Sequence, residues 1–230
     1  PLIKRKPESG YQYLPMMLRR NITGELNTTG LATSEELFPV LLYNLLARVA
    51  PFKKLSLVMP SYTTRKQFKF ISDACLFIGT EIATTIDDLT AIFLTYSSLR
   101  TNRYLKKPVH VLFVDVGASS TRAYSATFEY NKEPMEHSIV NQTSYDFTEK
   151  VGGIAFAKAL AAHQNISIQK AMKTLIRTSG EGKEDFLLDE LTELKNFIYD
   201  ITETARKVAP IDEIQLIGGA STYRFVVDAI

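Results

Sequence analysis

Apolar residues recur along this chain at two different periods, and the changes between them mark its elements. Up to residue 30 the pattern is irregular, with short-strand stretches and Asn27-Thr28-Thr29-Gly30 as a turn. Thr33-Ser34-Glu35-Glu36 has the form of a capping box, so a helix is expected from Thr33 until Pro51. Leu55 to Met59 reads as a short buried strand closed by Pro60. Ser61 to Thr64 can cap a helix with Phe68, Ile71, Cys75 and Ile78 on one face, stopping at Gly79. Glu81 to Ile86 returns as a strand, and Asp87 opens another helix. Val109 to Val114 is almost wholly apolar, as a central strand should be. Beyond the turn at Asp115 to Thr121, Tyr124, Ala126, Phe128 and Tyr130 alternate with Ser125, Thr127 and Glu129, the second arm of a hairpin. A further strand is expected near His137 to Tyr145, and a helix after Gly152-Gly153. Thr178 to Glu184 reads as a loop and Leu187 to about Lys207 as a long amphipathic helix. Ile214 to Ile217 is a last buried strand, with Gly218-Gly219-Ala220-Ser221 opening the terminal helix. Strands alternating with helices argue for an α/β fold.

Composition narrows the function classes. Of 230 residues, 27 are Lys or Arg and 25 Asp or Glu, a net charge of +2, too balanced for a nucleic-acid or acidic-lipid surface. No apolar run approaches the roughly 18 residues of a membrane span, so no span is expected. Cys75 is the single cysteine, excluding an internal disulfide, and its helical face marks it as an inert core thiol. Pro1 stands first with no basic and apolar leader after it, so a processed chain or a fragment is expected. Sequons begin at Asn21, Asn27, Asn141 and Asn165, more than chance placement of the asparagines would give. Such sequons matter only in the secretory pathway.

Two glycine turns are the strongest chemical features. Asp115-Val116-Gly117-Ala118-Ser119-Ser120 joins two strands, and its small residues let backbone amides approach an anion. Asp115 could hold a metal-bound water there. Gly218-Gly219-Ala220 joins a strand to an expected helix start, where free amides favour phosphate. Gly152-Gly153 lies between them in sequence. Either turn alone is more often structural; together they favour a nucleotide phosphate. Asp87-Asp88 reads either as an N-cap with an acidic first turn or as a carboxylate orienting a water or magnesium ion. His110, His137 and His163 share no metal-ligand spacing.

The order of motifs resembles the seventy-kilodalton heat-shock protein superfamily. Leu57-Val58-Met59-Pro60-Ser61-Tyr62 is similar to its strand ending in Val-Pro-x-Tyr/Phe, and Ile86-Asp87-Asp88-Leu89-Thr90-Ala91 to its Asn-Glu-Pro-Thr-Ala segment. Asp115 to Ser120 looks like its second phosphate loop. Val151-Gly152-Gly153 looks like its Leu-Gly-Gly, and Leu216 to Ser221 like its adenosine-side Gly-Gly turn. Asp88 and the Ala118-Ser119-Ser120 run resemble the large lumenal branch, the hypoxia up-regulated type, with which the sequons agree.

The resemblance implies an incomplete actin-like ATPase fold with ribonuclease-H-like lobes: residues 1–107 the remainder of lobe I, 108–230 a lobe II with a shortened outer subdomain. It implies ATP or ADP held with magnesium by Asp115 through water. Ser120 takes the family's threonine position and Asp88 that of the water-orienting carboxylate. The implied phosphate and nucleotide contacts are Gly117, Ala118, Ser119, Gly152, Gly153, Gly218, Gly219, Ala220 and Ser221. The implied role is that of an ATP-binding chaperone or co-chaperone of the endoplasmic reticulum lumen, exchanging nucleotide on a partner chaperone and holding unfolded clients; a cytoplasmic location is the alternative. The family's first phosphate loop and half of its adenosine clasp are missing, and Thr222 replaces the expected arginine. Weak or no ATP hydrolysis is therefore expected. A degenerate protein-binding scaffold, or a small-molecule kinase on the same fold, are the other readings.

Overall fold

The computed structural model describes residues 23–26, 30–33, 39–40, 42–44, 53–133, 135–178 and 185–230. The chain divides into two compact units, Pro1–Ile92 and Phe93–Ile230. In the first, β1 (Thr23–Leu26) and β2 (Gly30–Thr33) form an antiparallel hairpin with Leu26 opposite Gly30. Thr33 pairs with Thr23, so it ends a strand instead of opening a helix. The rest of the expected capping box, at 34–36, lies outside the described residues.

Next, β3 (Lys54–Met59) runs parallel to β4 (Glu81–Asp87), with α1 (Arg65–Phe77) crossing between them. Thr64 is the N-cap of α1: its hydroxyl accepts from the Gln67 amide while Gln67 Oε1 accepts from the Thr64 amide, satisfying two donors reciprocally. Cys75 is fully buried on this helix, and burial pushes its thiol pKa up, away from the reactive thiolate. At the end of β4, Asp87 caps α2 (Asp88–Leu99): its carboxylate accepts from the Thr90 amide at 2.7 Å and the Thr90 hydroxyl at 2.8 Å. Partial burial pushes the Asp87 pKa up, but these hydrogen bonds outweigh it and hold the carboxyl below its ordinary range.

The second unit takes in the end of α2, then α3 (Thr101–Tyr104), β5 (Val109–Val116), β6 (Thr121–Asn131) and β7 (Glu136–Thr148). After these come α4 (Gly153–Gln164), α5 (Ile168–Thr178), α6 (Leu188–Arg206), β8 (Glu213–Ile217) and the short α7 (Arg224–Ala229). Strand order is β7-β6-β5-β8. The first three strands are antiparallel, and β8 is added parallel to β5. The result is a mixed α/β unit, as the alternation of patterns implies.

Both faces of β5 are covered, which is why its sequence is continuously apolar. Leu112, Val114 and Val116 share a core with Phe156 and Leu160 of α4, Leu194 and Ile198 of α6, and Phe225 of α7. Phe113 lies on the opposite face with Phe128, against Phe93, Tyr96 and Tyr104. Because helices also cover the polar face of β6, its small polar residues need partners inside. Ser125 Oγ lies 2.8 Å from Tyr145 Oη, and Thr127 Oγ1 lies 2.9 Å from Nδ1 of His110.

His110 is 2% exposed, and its Nε2 makes no hydrogen bond among the described residues. Burial lowers its pKa from the ordinary 6.5, against an opposing pull from Asp212. The folded imidazole therefore takes up its proton at lower pH than the unfolded chain, which does so as pH falls through about 6.5. More protons bind the unfolded state, so this residue's contribution to stability is complete above pH 6.5 and is lost on acidification. Urea midpoints followed by far-UV circular dichroism are expected to fall between pH 7.5 and 5.5, with this one group contributing at most about 1.4 kcal/mol of stability per pH unit. His110→Leu is expected to flatten that slope. An equally steep slope in the variant would show that other groups carry it.

Candidate functional site

Strands β5 and β8 are parallel neighbours with Asp115 opposite Ile217, so their carboxyl ends lie side by side. In α/β sheets ligands bind beyond the carboxyl ends of such strands. Each of these two ends leads into one of the glycine turns, at 117–120 and at 218–221. The third glycine segment joins them: the Gly153 amide donates to the Gly117 carbonyl at 3.0 Å and the Ile154 amide to the Ala118 carbonyl at 2.7 Å. The Thr121 hydroxyl adds a bond to the Val151 carbonyl at 3.2 Å. Three segments far apart in sequence thus meet at one edge of the sheet.

The closeness of the segments explains their composition. A Cβ on Gly152 would lie 3.0 Å from the Ser120 amide nitrogen and 3.1 Å from the carbonyl oxygens of Gly117 and Ala118. A Cβ on Gly218 would lie 2.4 Å from Asp115 Oδ1 and 2.5 Å from the Val116 carbonyl oxygen. No side chain fits at Gly218, and at Gly152 one fits only if the turn gives by a few tenths of an ångström.

Which amides remain open decides what the site can hold. The Gly117 amide is taken up by the Ser120 carbonyl at 3.0 Å. Those of Ala118, Ser119 and Ser120 have no acceptor within the chain among the described residues. Successive open amides in a tight turn make an anion-binding concavity. The first amides of α4 serve differently: they clamp the turn by its carbonyls. The Gly218 turn also departs from expectation. It leads into a 3₁₀ turn over Gly219–Thr222, and an α-helix starts only at Arg224. The hydroxyls of Ser221 and Thr222 donate back to the carbonyls of Gly218 (2.7 Å) and Gly219 (2.9 Å), which holds the turn tight and competes with α-helix. Gly218 to Ser221 therefore shapes the edge of the site without the dipole of a long helix.

Asp115 has a partner that the motif does not announce. Directly opposite it in the β5–β6 register stands Arg122, whose Nη2 lies 2.7 Å from Asp115 Oδ2. Both side chains are largely buried. The guanidinium carbon lies 5.6 Å from the centroid of the Tyr124 ring, a cation–π contact that fixes its plane. A magnesium ion in a nucleotide site needs one or two open carboxylates together with waters and phosphates. Here the carboxylate is held by a guanidinium, and among the described residues no group of three His, Cys, Asp or Glu side chains is placed to hold a metal. The residues present do not fit a magnesium site.

Asp88 belongs to the first unit, and Asp115 and Ser120 to the second. Asp88 Oδ1 accepts from the Ser61 amide at 2.8 Å, tying the start of α2 to the turn after β3. Beside it, a cavity of about 600 Å³ opens at the carboxyl ends of β3 and β4, lined by Pro60, Ser61, Thr63, Arg65, Asp87 and Thr90 among others. Of the sequons, Asn165 is exposed in the left-handed cap of α4 and Asn141 donates through Nδ2 to Thr127; Asn21 and Asn27 lie outside the described residues. In comparisons with known proteins, no family model matches the chain and no curated protein does.

Proposed function

We propose that the second unit binds the phosphates of a nucleotide at the junction of Asp115–Ser120, Gly152-Gly153 and Gly218–Ser221. The observation that supports this is the meeting of three glycine segments at the carboxyl ends of two parallel strands, with three open amides in the middle. On this reading Ala118, Ser119 and Ser120 hold phosphate oxygens by their amides, and the Ser120 hydroxyl adds a donor. Gly152 and Gly218 keep side chains out of the approach.

The motif order extends the proposal to a nucleotide-binding lobe of the heat-shock protein 70 type, in an actin-like ATPase. The broader role proposed is that of an ATP-binding chaperone or co-chaperone. Its clients would be unfolded chains and its partner a chaperone of the same superfamily. The exposed sequon at Asn165 supports a lumenal site of action. Phosphoryl transfer depends on positioning and charge neutralisation. The single turn described, with its carboxylate already paired, is suited to binding more than to turnover. The proposal is accordingly of weak or absent hydrolysis.

Titration calorimetry and thermal shift with ADP test the binding reading directly. At about 100 times the Kd, ADP is expected to stabilise the chain by about 2.7 kcal/mol. Gly152→Ala sets a methyl against the Ser120 amide and is expected to weaken ADP about tenfold or more, equivalent to about 1.4 kcal/mol. Glu203→Gln, on the exposed face of α6, should bind as the parent does. Absence of any ADP-dependent heat or shift at millimolar ligand would sink the reading.

A further inference from the structure

Building on the nucleotide-phosphate reading of the same turn, we infer that the site takes its nucleotide without a divalent cation, with Arg122 standing where a metal's charge would be needed. A bare carboxylate beside a polyphosphate repels it, and a bridging metal ion is the usual remedy. Asp115 is not bare. Its Oδ2 is held by the Arg122 guanidinium at 2.7 Å, a short charge-assisted bond, with the two side chains 13% and 18% exposed. Its Oδ1 packs against the α-carbon of Gly218, so tightly that a Cβ there would lie 2.4 Å away. Oδ2 is engaged by the guanidinium and Oδ1 is crowded by Gly218, so little of the carboxylate is open to a hydrated ion.

The guanidinium is itself held in place. It is paired across the strands by register and set over the Tyr124 ring, and it stays charged at every accessible pH. Releasing Asp115 to a metal would require withdrawing a largely buried cation from these contacts. Keeping the pair leaves the turn electrically neutral at its base and open at the Ala118, Ser119 and Ser120 amides. That arrangement suits a metal-free nucleoside diphosphate or triphosphate.

ADP binding to the whole chain should be measured by calorimetry in excess magnesium and again in excess EDTA. The two Kd values are expected to agree within about twofold. Arg122→Gln exposes the Asp115 charge: its affinity in EDTA is expected to fall about tenfold or more and to recover when magnesium is added. Arg122→Lys keeps a cation and should retain metal independence. It decides the matter, with the parent chain, if circular dichroism shows that Arg122→Gln is not folded. A gain of about tenfold on adding magnesium to the parent would overturn the inference while leaving the phosphate-binding reading standing. No ADP binding in either buffer would overturn that reading and the inference with it. Parent-like binding by a folded Arg122→Gln would remove Arg122 from the account.

Discussion

Gly218→Ala is expected to destabilise the second unit by about 4 kcal/mol, one of the largest effects of any single substitution in it. Two costs act together. The backbone at Gly218 has φ 89° and ψ 159°, a region open in practice only to glycine, where an L-residue is strained by about 1–3 kcal/mol. The added methyl would also meet Asp115 Oδ1 at 2.4 Å and the Val116 carbonyl oxygen at 2.5 Å, contacts that force a shift of packed backbone. Overpacking of this kind costs a further 1–3 kcal/mol or so. For a unit of this size the loss should lower Tm by on the order of 10 °C in a calorimetric or circular-dichroism melt. Gly219 is the control for stability: a Cβ there meets nothing within 4 Å. A Gly218→Ala protein melting with the parent would mean that β8 does not lie against β5 as described.

The same junction shows what could be read from the chain and what could not. The three glycine segments stand out in sequence because small residues in a row are rare outside close approaches. Nothing local says that they meet; that depends on β8 pairing parallel to β5. Arg122 was missed for a related reason. Its role comes from standing opposite Asp115, which is legible once the hairpin is centred on residues 117–120, because Val116 then faces Thr121 and Asp115 faces Arg122. Local signals misled where a longer-range partner overrode them. Thr33 and Glu36 have capping-box spacing, yet Thr33 is held in a hairpin by Thr23. Ser221 and Thr222 look like residues that start a helix, but their hydroxyls return to the preceding carbonyls and keep the turn 3₁₀. In α1 the Thr64 cap and the stop before Gly79 made the boundaries legible, but of the expected face only Cys75 is buried, beside Ala74, while Phe68 is 40% exposed. Helix α5 went unread, although Ser167, whose hydroxyl accepts from the Lys170 amide, and the buried Ala171 and Leu175 that follow are local signals for it.

The hairpin that carries the 117–120 turn is also packed on its aromatic face. Beneath the hairpin, Phe128 is fully buried at the centre of four rings. Tyr96 lies 4.5 Å away between centroids, Tyr104 5.8 Å, Phe113 6.1 Å and Phe93 6.2 Å. Two of these rings also have polar anchors: Tyr96 Oη donates to Glu213 Oε2 at 3.1 Å and Tyr104 Oη to the Ser97 carbonyl at 2.8 Å. Burial and the Glu213 carboxylate push the Tyr96 pKa up to about 12, so the phenol keeps its proton and its bond. Phe128→Ala removes the common contact of all four rings. Truncating a buried phenylalanine costs about 3–5 kcal/mol, and the lost ring pairs place this site at the upper end. Equilibrium urea unfolding of the variant should show a much lower midpoint with an unchanged m-value. Phe77→Ala, with its ring 84% exposed on α1, should change stability by no more than about 0.5 kcal/mol. If Phe128→Ala cost as little as Phe77→Ala, α2 and α3 would not be packed on β5 and β6. The hairpin carrying Asp115 and Arg122 would then be supported only by the core on its other face.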